Sequence, residues 1–266
     1  MAKSYYEAKT PRWQRVAIWI IAIAMAGGTL IGFLFMAIAA ENPNLDTAGI
    51  TQGKEEEAAK KLEEKIAERQ KKIDAQNEAL SKKYFAELNG FKSKVAAFEP
   101  TGIGDVETED LKNGDGAEIT NETKYSMYYI GWKPIGDIFD SSFSQDNSSL
   151  GEPLHHQGGG VWVFPGGNTG SVIAGWNEGV IGMKIGGVRL ITIPADKAYT
   201  SDGNQEHELY GLPLKFIVMA VPTPEDIPYP KGTLAVCEKA MASQAAQYGI
   251  SPKDLCLYLG YDNEEK

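Results

Sequence analysis

Between Arg15 and Glu41 the chain carries no charged side chain. As a helix, the 25 residues 16–40 rise about 37 Å, more than the ~30 Å hydrocarbon core of a bilayer. A run this long and uncharged satisfies its backbone polar groups internally only as a helix. Trp13 and Trp19 suit the membrane interface at one end. Lys3, Lys9, Arg12 and Arg15 precede the run, and Glu41 and Asp46 follow it. The positive-inside rule then predicts a single-pass anchor in the cell membrane, with residues 1–15 cytoplasmic and everything after 40 outside. A cleaved signal peptide is the alternative, because Ala37-Ile38-Ala39 has the small-x-small form of a cleavage site. An apolar region of about 7–15 residues would suit that alternative, and this one is longer.

After a linker over 41–53, residues 54–98 are rich in Ala, Glu, Lys, Leu and Gln, with 11 basic and 9 acidic side chains. These are strong helix formers. Apolar residues at Leu62, Ile66, Ile73, Leu80, Tyr84 and Leu88 form a thin stripe, interrupted at Arg69 and Asn77. The stripe predicts a charged helical stalk. It is also a weak coiled-coil seam, through which a homodimer is the accompanying expectation. Asn89-Gly90 is a plausible stop.

From residue 99 the texture changes to short β-rich runs broken by Gly, Asn and Asp. Strands are predicted over 123–132, 161–164, 187–193 and 214–221, and a short helical segment over 175–180. Four or five antiparallel strands around one small helix make an α+β domain. Residues 98–266 carry 11 basic and 24 acidic side chains, so the acidity of the chain lies here and a nucleic-acid partner is excluded on bulk charge. The only histidines are His155, His156 and His207. The first two are adjacent beside a Gly-rich stretch and read as a solvent-exposed loop.

Four runs then occur in order: Tyr128-Tyr129-Ile130-Gly131, Phe139-Asp140-Ser141-Ser142-Phe143, Val172-Ile173-Ala174-Gly175-Trp176-Asn177-Glu178-Gly179-Val180, and Ile193-Pro194-Ala195-Asp196-Lys197-Ala198-Tyr199. Over about residues 101–222 the chain resembles the FKBP-type peptidyl-prolyl isomerases. The resemblance implies a five-stranded antiparallel half-barrel curled around a short helix, with a proline-binding pocket between them. It assigns catalytic roles to Tyr129, Asp140 and the Tyr199 hydroxyl. Substrate contacts fall on Phe139, Val172, Ile173, Trp176 at the pocket floor, and Phe216, with Trp162 replacing another pocket Phe. Taken singly, Tyr129, Phe139 or Phe216 reads as core; the ordered set points to a pocket.

The chemistry suits those residues. An X-Pro bond isomerises in tens to hundreds of seconds because rotation breaks amide resonance. An apolar pocket favours the twisted, less polar amide, and a hydroxyl donor holds a carbonyl in place. No cofactor, metal or proton shuttle is required. The sequence departs from the family at a lengthened loop over 144–160, at Thr200 after Tyr199, and over 201–212. The expected function is isomerisation of proline-containing segments of exported proteins. The alternative is a catalytically weak peptide-binding module or chaperone using the same groove.

Residues 223–266 form a Pro-rich exit and a helical hairpin. Helix is predicted over 233–248, Gly249 as its stop, and Ser251-Pro252 as the start of a second helix. An extracytoplasmic location favours a Cys237–Cys256 bridge across that hairpin; two buried free thiols are the alternative.

Overall fold

The computed structural model describes residues 48–165, 169–200, 205–258, 261, 264 and 265. The expected membrane span, the residues before it and most of the linker lie outside these. Among the described residues no helix is long and apolar enough to cross a membrane. The chain divides into two compact units, one of residues 69–228, the other of residues up to 68 together with 229–266.

In the 69–228 unit the chain forms β1 (Glu107–Lys112), β2 (Tyr125–Trp132), β3 (Ile138–Ser141), β4 (Leu154–Gly158), β5 (Val161–Val163), β6 (Thr169–Gly170), β7 (Val188–Ile193) and β8 (Leu214–Val221). Helix α1 (Ala48–Gly90) precedes them, and α2 (Ala174–Val180) lies between β6 and β7. All eight strands join one antiparallel sheet in the order β1-β7-β8-β2-β4-β5-β6, with β3 also on β2. One edge of β2 serves two partners, β4 along Tyr125–Met127 and β3 along Ile130–Trp132. The sheet has eight strands rather than the four or five expected. The additional ones lack an apolar alternation: β1 is Glu-Thr-Glu-Asp-Leu-Lys, a charged edge strand.

β2 and β8 are apolar at nearly every position, so both faces of the sheet need cover. On one face Tyr125, Met127, Ile191, Ile193, Leu214, Phe216 and Val218 meet Trp162 and the α2 residues Trp176 and Val180. On the other, Tyr128, Ile130, Trp132, Val188, Ile217 and Met219 meet Leu80, Tyr84, Phe85 and Leu88 of α1, then Phe91, Val95 and Phe98. The period of two along each strand sorts these sets without exception. Polar bonds fasten this second layer. Leu150 N–H donates to Ser81 Oγ (2.8 Å), Trp132 Nε1–H to Ala96 O (3.0 Å), and Phe98 N–H to Pro134 O (2.8 Å).

Three positions of the expected coiled-coil stripe, Leu80, Tyr84 and Leu88, are therefore used within the chain. The packing also places the last turns of α1 and residues 91–98 inside this unit, whereas the sequence reading began the domain at 99.

His155 and His156 lie in β4, which corrects the exposed-loop reading. The β4 register on β2 draws His156 between the rings of Tyr125 and Trp162, at centroid distances of 5.0 and 4.9 Å. His156 Nδ1 lies 2.7 Å from Thr123 O, so that nitrogen carries the proton. His155 Nδ1 bonds Ser126 Oγ at 2.7 Å.

In the other unit α3 (Thr233–Tyr248) and α4 (Pro252–Tyr258) form a hairpin. Gly249 takes the left-handed conformation that ends α3 (φ 66°). Ser251 Oγ accepts Asp254 N–H at 3.0 Å and caps α4. Cys237 and Cys256 are joined by a disulfide, with Cα atoms 6.0 Å apart, beside buried Met241, Ala245 and Leu255. The Glu264 carboxylate accepts the N–H groups of Gly232 and Leu234 at the start of α3, where free donors and the helix dipole favour an anion.

Candidate active site

The core between the sheet and α2 is not closed all round. Trp176 is buried (3% exposed), while Tyr129, Phe139, Val172, Ile173, Tyr199 and Leu212 are half-buried and pack against the core cluster that contains it. Half-buried apolar groups around a core that holds a buried indole leave apolar surface open to a ligand.

Trp176 is held by ring edges. Tyr129 meets it at 5.3 Å and 82°, Phe216 at 5.0 Å and 75°, and Trp162 at 6.1 Å and 90°. Phe139 continues the series on Phe216 at 5.6 Å and 89°. Edge-to-face contact is the favourable arrangement for such quadrupoles. The floor thus comes from four elements: β2, β3, β8 and α2. Trp162 has no exposed surface and donates its indole N–H to Asn177 Oδ1 at 3.0 Å. It stands behind Trp176 and offers no surface of its own to a ligand, unlike the expected substrate contact. Among the described residues the buried Trp176 Nε1–H has no acceptor.

Backbone geometry brings Phe139 and Asp140 to the same face although they are consecutive. Gly131 pairs with Asp140 and Trp132 with Ile138, which leaves Phe139 as the extra residue of a β-bulge. The bulge turns Phe139 onto the core and leaves Asp140 exposed beside Tyr129. Gly131 supplies the room: a Cβ there would lie 2.6 Å from Phe216 Cε1 and 2.9 Å from Phe139 Cζ. No motif marked this glycine as part of the site, although it ends the first of the four runs.

The polar groups gather at the rim. Tyr129 Oη donates to Asp140 Oδ2 at 2.6 Å. Burial, then the bond to Asp140, then the charges of Asp140 and Tyr199 push the Tyr129 phenol far above its ordinary range, so it stays a protonated donor. Ser142 fixes the strand here, its Oγ accepting Tyr129 N–H at 2.9 Å while Ser142 N–H donates to Tyr129 O at 2.9 Å. Tyr199 follows the 3-10 turn Ala195–Lys197.

Helix α2 has only seven residues, and Trp176 depends on where it sits. Gly175 and Gly179 let it lie against β7, since a Cβ at either would come within 2.3 Å of Ile193 or 2.5 Å of Ile191. Its C-terminal carbonyls are satisfied by a buried guanidinium. Arg189 Nη1 donates to Gly179 O (3.0 Å) and Ile181 O (2.9 Å), and Arg189 Nε pairs with Asp110 Oδ1 (2.6 Å). Sequence reasoning passed over Arg189, a lone charge in an apolar strand, which is the signal that could have found it.

Residues 116–219 match the family model described as FKBP-type peptidyl-prolyl cis-trans isomerase. A probable FK506-binding protein of Corynebacterium glutamicum is 35% identical over 115 residues, covering 43% of this chain and 83% of that protein. The FK506-binding protein of Neisseria meningitidis serogroup B is 36% identical over 101 residues, 38% of this chain and 80% of its own length. Among solved structures, a peptidyl-prolyl cis-trans isomerase from Pseudomonas syringae pv. tomato aligns over 57% of this chain and 96% of its own, at 25% identity and a TM-score of 0.33. An apolar aromatic cluster bordered by the Tyr129 hydroxyl and the Asp140 carboxylate suits a prolyl segment whose reaction makes and breaks no bond, and with relatives this similar over four-fifths of their own length the chain belongs to the FKBP-type peptidyl-prolyl cis-trans isomerases.

Proposed function

We propose that this isomerase works outside the cytoplasm, tethered to the cell membrane by residues 16–40, on proline-containing segments of exported proteins. The uncharged run with basic residues on its N-terminal side supports the tether and its direction. The Cys237–Cys256 disulfide supports an oxidising compartment. The apolar stripe through Leu62, Ile66 and Ile73 of α1 supports self-association along that helix.

The observation that carries the catalytic reading is the Tyr129–Asp140 bond at the rim of the Trp176 floor. In this reading the prolyl ring rests on Trp176, walled by Tyr129, Phe139, Val172, Ile173 and Phe216. Asp140 and Tyr129 border the twisting amide, and Tyr199 donates its hydroxyl to a substrate carbonyl. The apolar surround stabilises the twisted amide, which has lost charge separation, over the planar one. Each tenfold of rate needs about 1.4 kcal/mol of such preference.

Prolyl-peptide isomerisation by the full chain in detergent tests the activity of the site, and Tyr199→Phe tests the donor. Losing one hydrogen bond in a desolvated site costs about 1–3 kcal/mol, hence a fivefold to hundredfold lower kcat/KM. An unchanged rate in the folded variant removes Tyr199 from the mechanism. Protease added to intact spheroplasts tests location. Digestion of the 69–228 unit supports the reading, and its protection refutes it.

A further inference from the structure

Around Trp176 the aromatic rings meet edge to face. Tyr199 is different. Its ring lies flat on the imidazole of His207, with centroids 4.4 Å apart and planes 9° from parallel. His207 falls in the stretch where the sequence departs from its family, and nothing in the mechanism above uses it.

The imidazole is held from its own side. His207 Nδ1 accepts the N–H of Leu209 at 3.2 Å, so the neutral ring carries its proton on Nε2. Leu209 is 3% exposed and belongs to the core. Two tight turns follow, Tyr210 N–H donating to His207 O (2.9 Å) and Leu212 N–H to Leu209 O (3.2 Å). Gly211 N–H donates to Thr200 Oγ1 at 2.9 Å, tying this segment to the residue after Tyr199. Thr200, the departure from the family's glycine, thus has a use: its hydroxyl secures the segment that carries the histidine.

A tyrosine hydroxyl oxygen lies on the Cβ–Cγ axis about 6.5 Å out from its Cα, so χ1 places it and χ2 only turns the ring plane in which its O–H lies. A parallel ring on one face holds that plane and blocks a swing of the phenol toward its side. We propose that His207 is a positioning residue for Tyr199, its imidazole plane fixing the phenol so that the hydroxyl meets the substrate carbonyl. This rests on the reading of Tyr199 as the carbonyl donor.

The two roles of His207, flat ring and Nδ1 acceptor, are separable by substitution. His207→Phe keeps a flat ring and loses the acceptor. His207→Asn keeps an acceptor and loses the ring, and His207→Ala loses both. The full chain in detergent is assayed for kcat and KM on a prolyl peptide, with the thermal midpoint of each variant. The ring resonances of Tyr199, assigned through Tyr199→Phe, report the stacking.

His207→Phe should stay within about threefold of wild type, and His207→Asn and His207→Ala should lose about tenfold in kcat with little change in KM, as for a misaimed group. In the latter two the Tyr199 ring signals should move downfield as the ring current is lost. Wild-type activity in His207→Asn with a loss in His207→Phe would overturn the proposal, because the histidine would then act through its loop bond alone. Full activity in all three variants while Tyr199→Phe is impaired would overturn it too, leaving the donor role standing. Full activity in Tyr199→Phe removes the donor role and this one with it.

Discussion

The bond between Tyr129 and Asp140 can be weighed with a double-mutant cycle. At 2.6 Å it is a short, charge-assisted contact whose donor is half-buried and whose acceptor residue is exposed. Hydrogen bonds to charged groups contribute about 1.5–3 kcal/mol. The solvation of Asp140 argues for the low end. The two truncations are not equivalent. Tyr129→Phe leaves a carboxylate that water can satisfy, so kcat/KM should fall only about fivefold to tenfold. Asp140→Ala leaves the Tyr129 hydroxyl facing an apolar site without its partner, which costs about 1–3 kcal/mol and releases the ring that borders Trp176. Its kcat/KM should fall about tenfold to hundredfold. If the pair acts as a unit, the double variant should match Asp140→Ala alone, with a coupling of at least ~1 kcal/mol. The assay is prolyl-peptide isomerisation of the full chain, with the thermal midpoint of each variant. Because the phenol is pushed upward by burial and by Asp140, Tyr129 remains protonated and its contribution should be flat from pH 6 to 9. Losses that multiply in the double variant would refute the reasoning, since the two groups would then act separately.

Arg189→Met should orphan the α2 carbonyls and Asp110 at a cost of about 2–4 kcal/mol. Unfolding followed by circular dichroism should show the midpoint down by roughly 5–15 °C. Leu88 is fully buried between α1 and the sheet, so Leu88→Ala should cost about 2–5 kcal/mol in urea unfolding. By the same packing a 69–228 fragment should fold, and one beginning at 99 should give no dispersed NMR spectrum. The His155 pKa is lowered, chiefly by burial and against the pull of Glu152, so the folded state binds fewer protons than the unfolded one. Its contribution is complete above the unfolded value near 6.5 and is lost as pH falls below it, so His155→Gln should flatten the decline of stability between pH 7 and 5 measured by urea midpoints.

The central strands were legible because their chemistry is local. Residues 125–132, 188–193 and 214–221 are runs of β-branched, aromatic and aliphatic side chains bounded by turn formers, and each strand begins within about two residues of its predicted start. The hairpin over 233–258 was legible for a similar reason, since Gly249 and Ser251-Pro252 state where one helix ends and the next begins. The four motifs carried the order of the site residues along the chain. The sequence was silent on what each surface lies against. A stripe at Leu80, Tyr84 and Leu88 says that α1 buries one side, and a second helix or the back of a sheet satisfies it equally well. β4 has no pattern to read, because its histidines are accepted through Thr123 and Ser126, residues about thirty positions back in the chain. Trp162 has the residue type of a pocket wall, and only packing decides that it stands behind the floor. The bulge at Phe139, the room left by Gly131 and the imidazole on Tyr199 likewise arise between segments, where one backbone's shape depends on a neighbour the local sequence does not encode. Local propensity and periodicity determine which segments form and which side of each is apolar; burial, register and partner choice are decided by close packing of the whole unit.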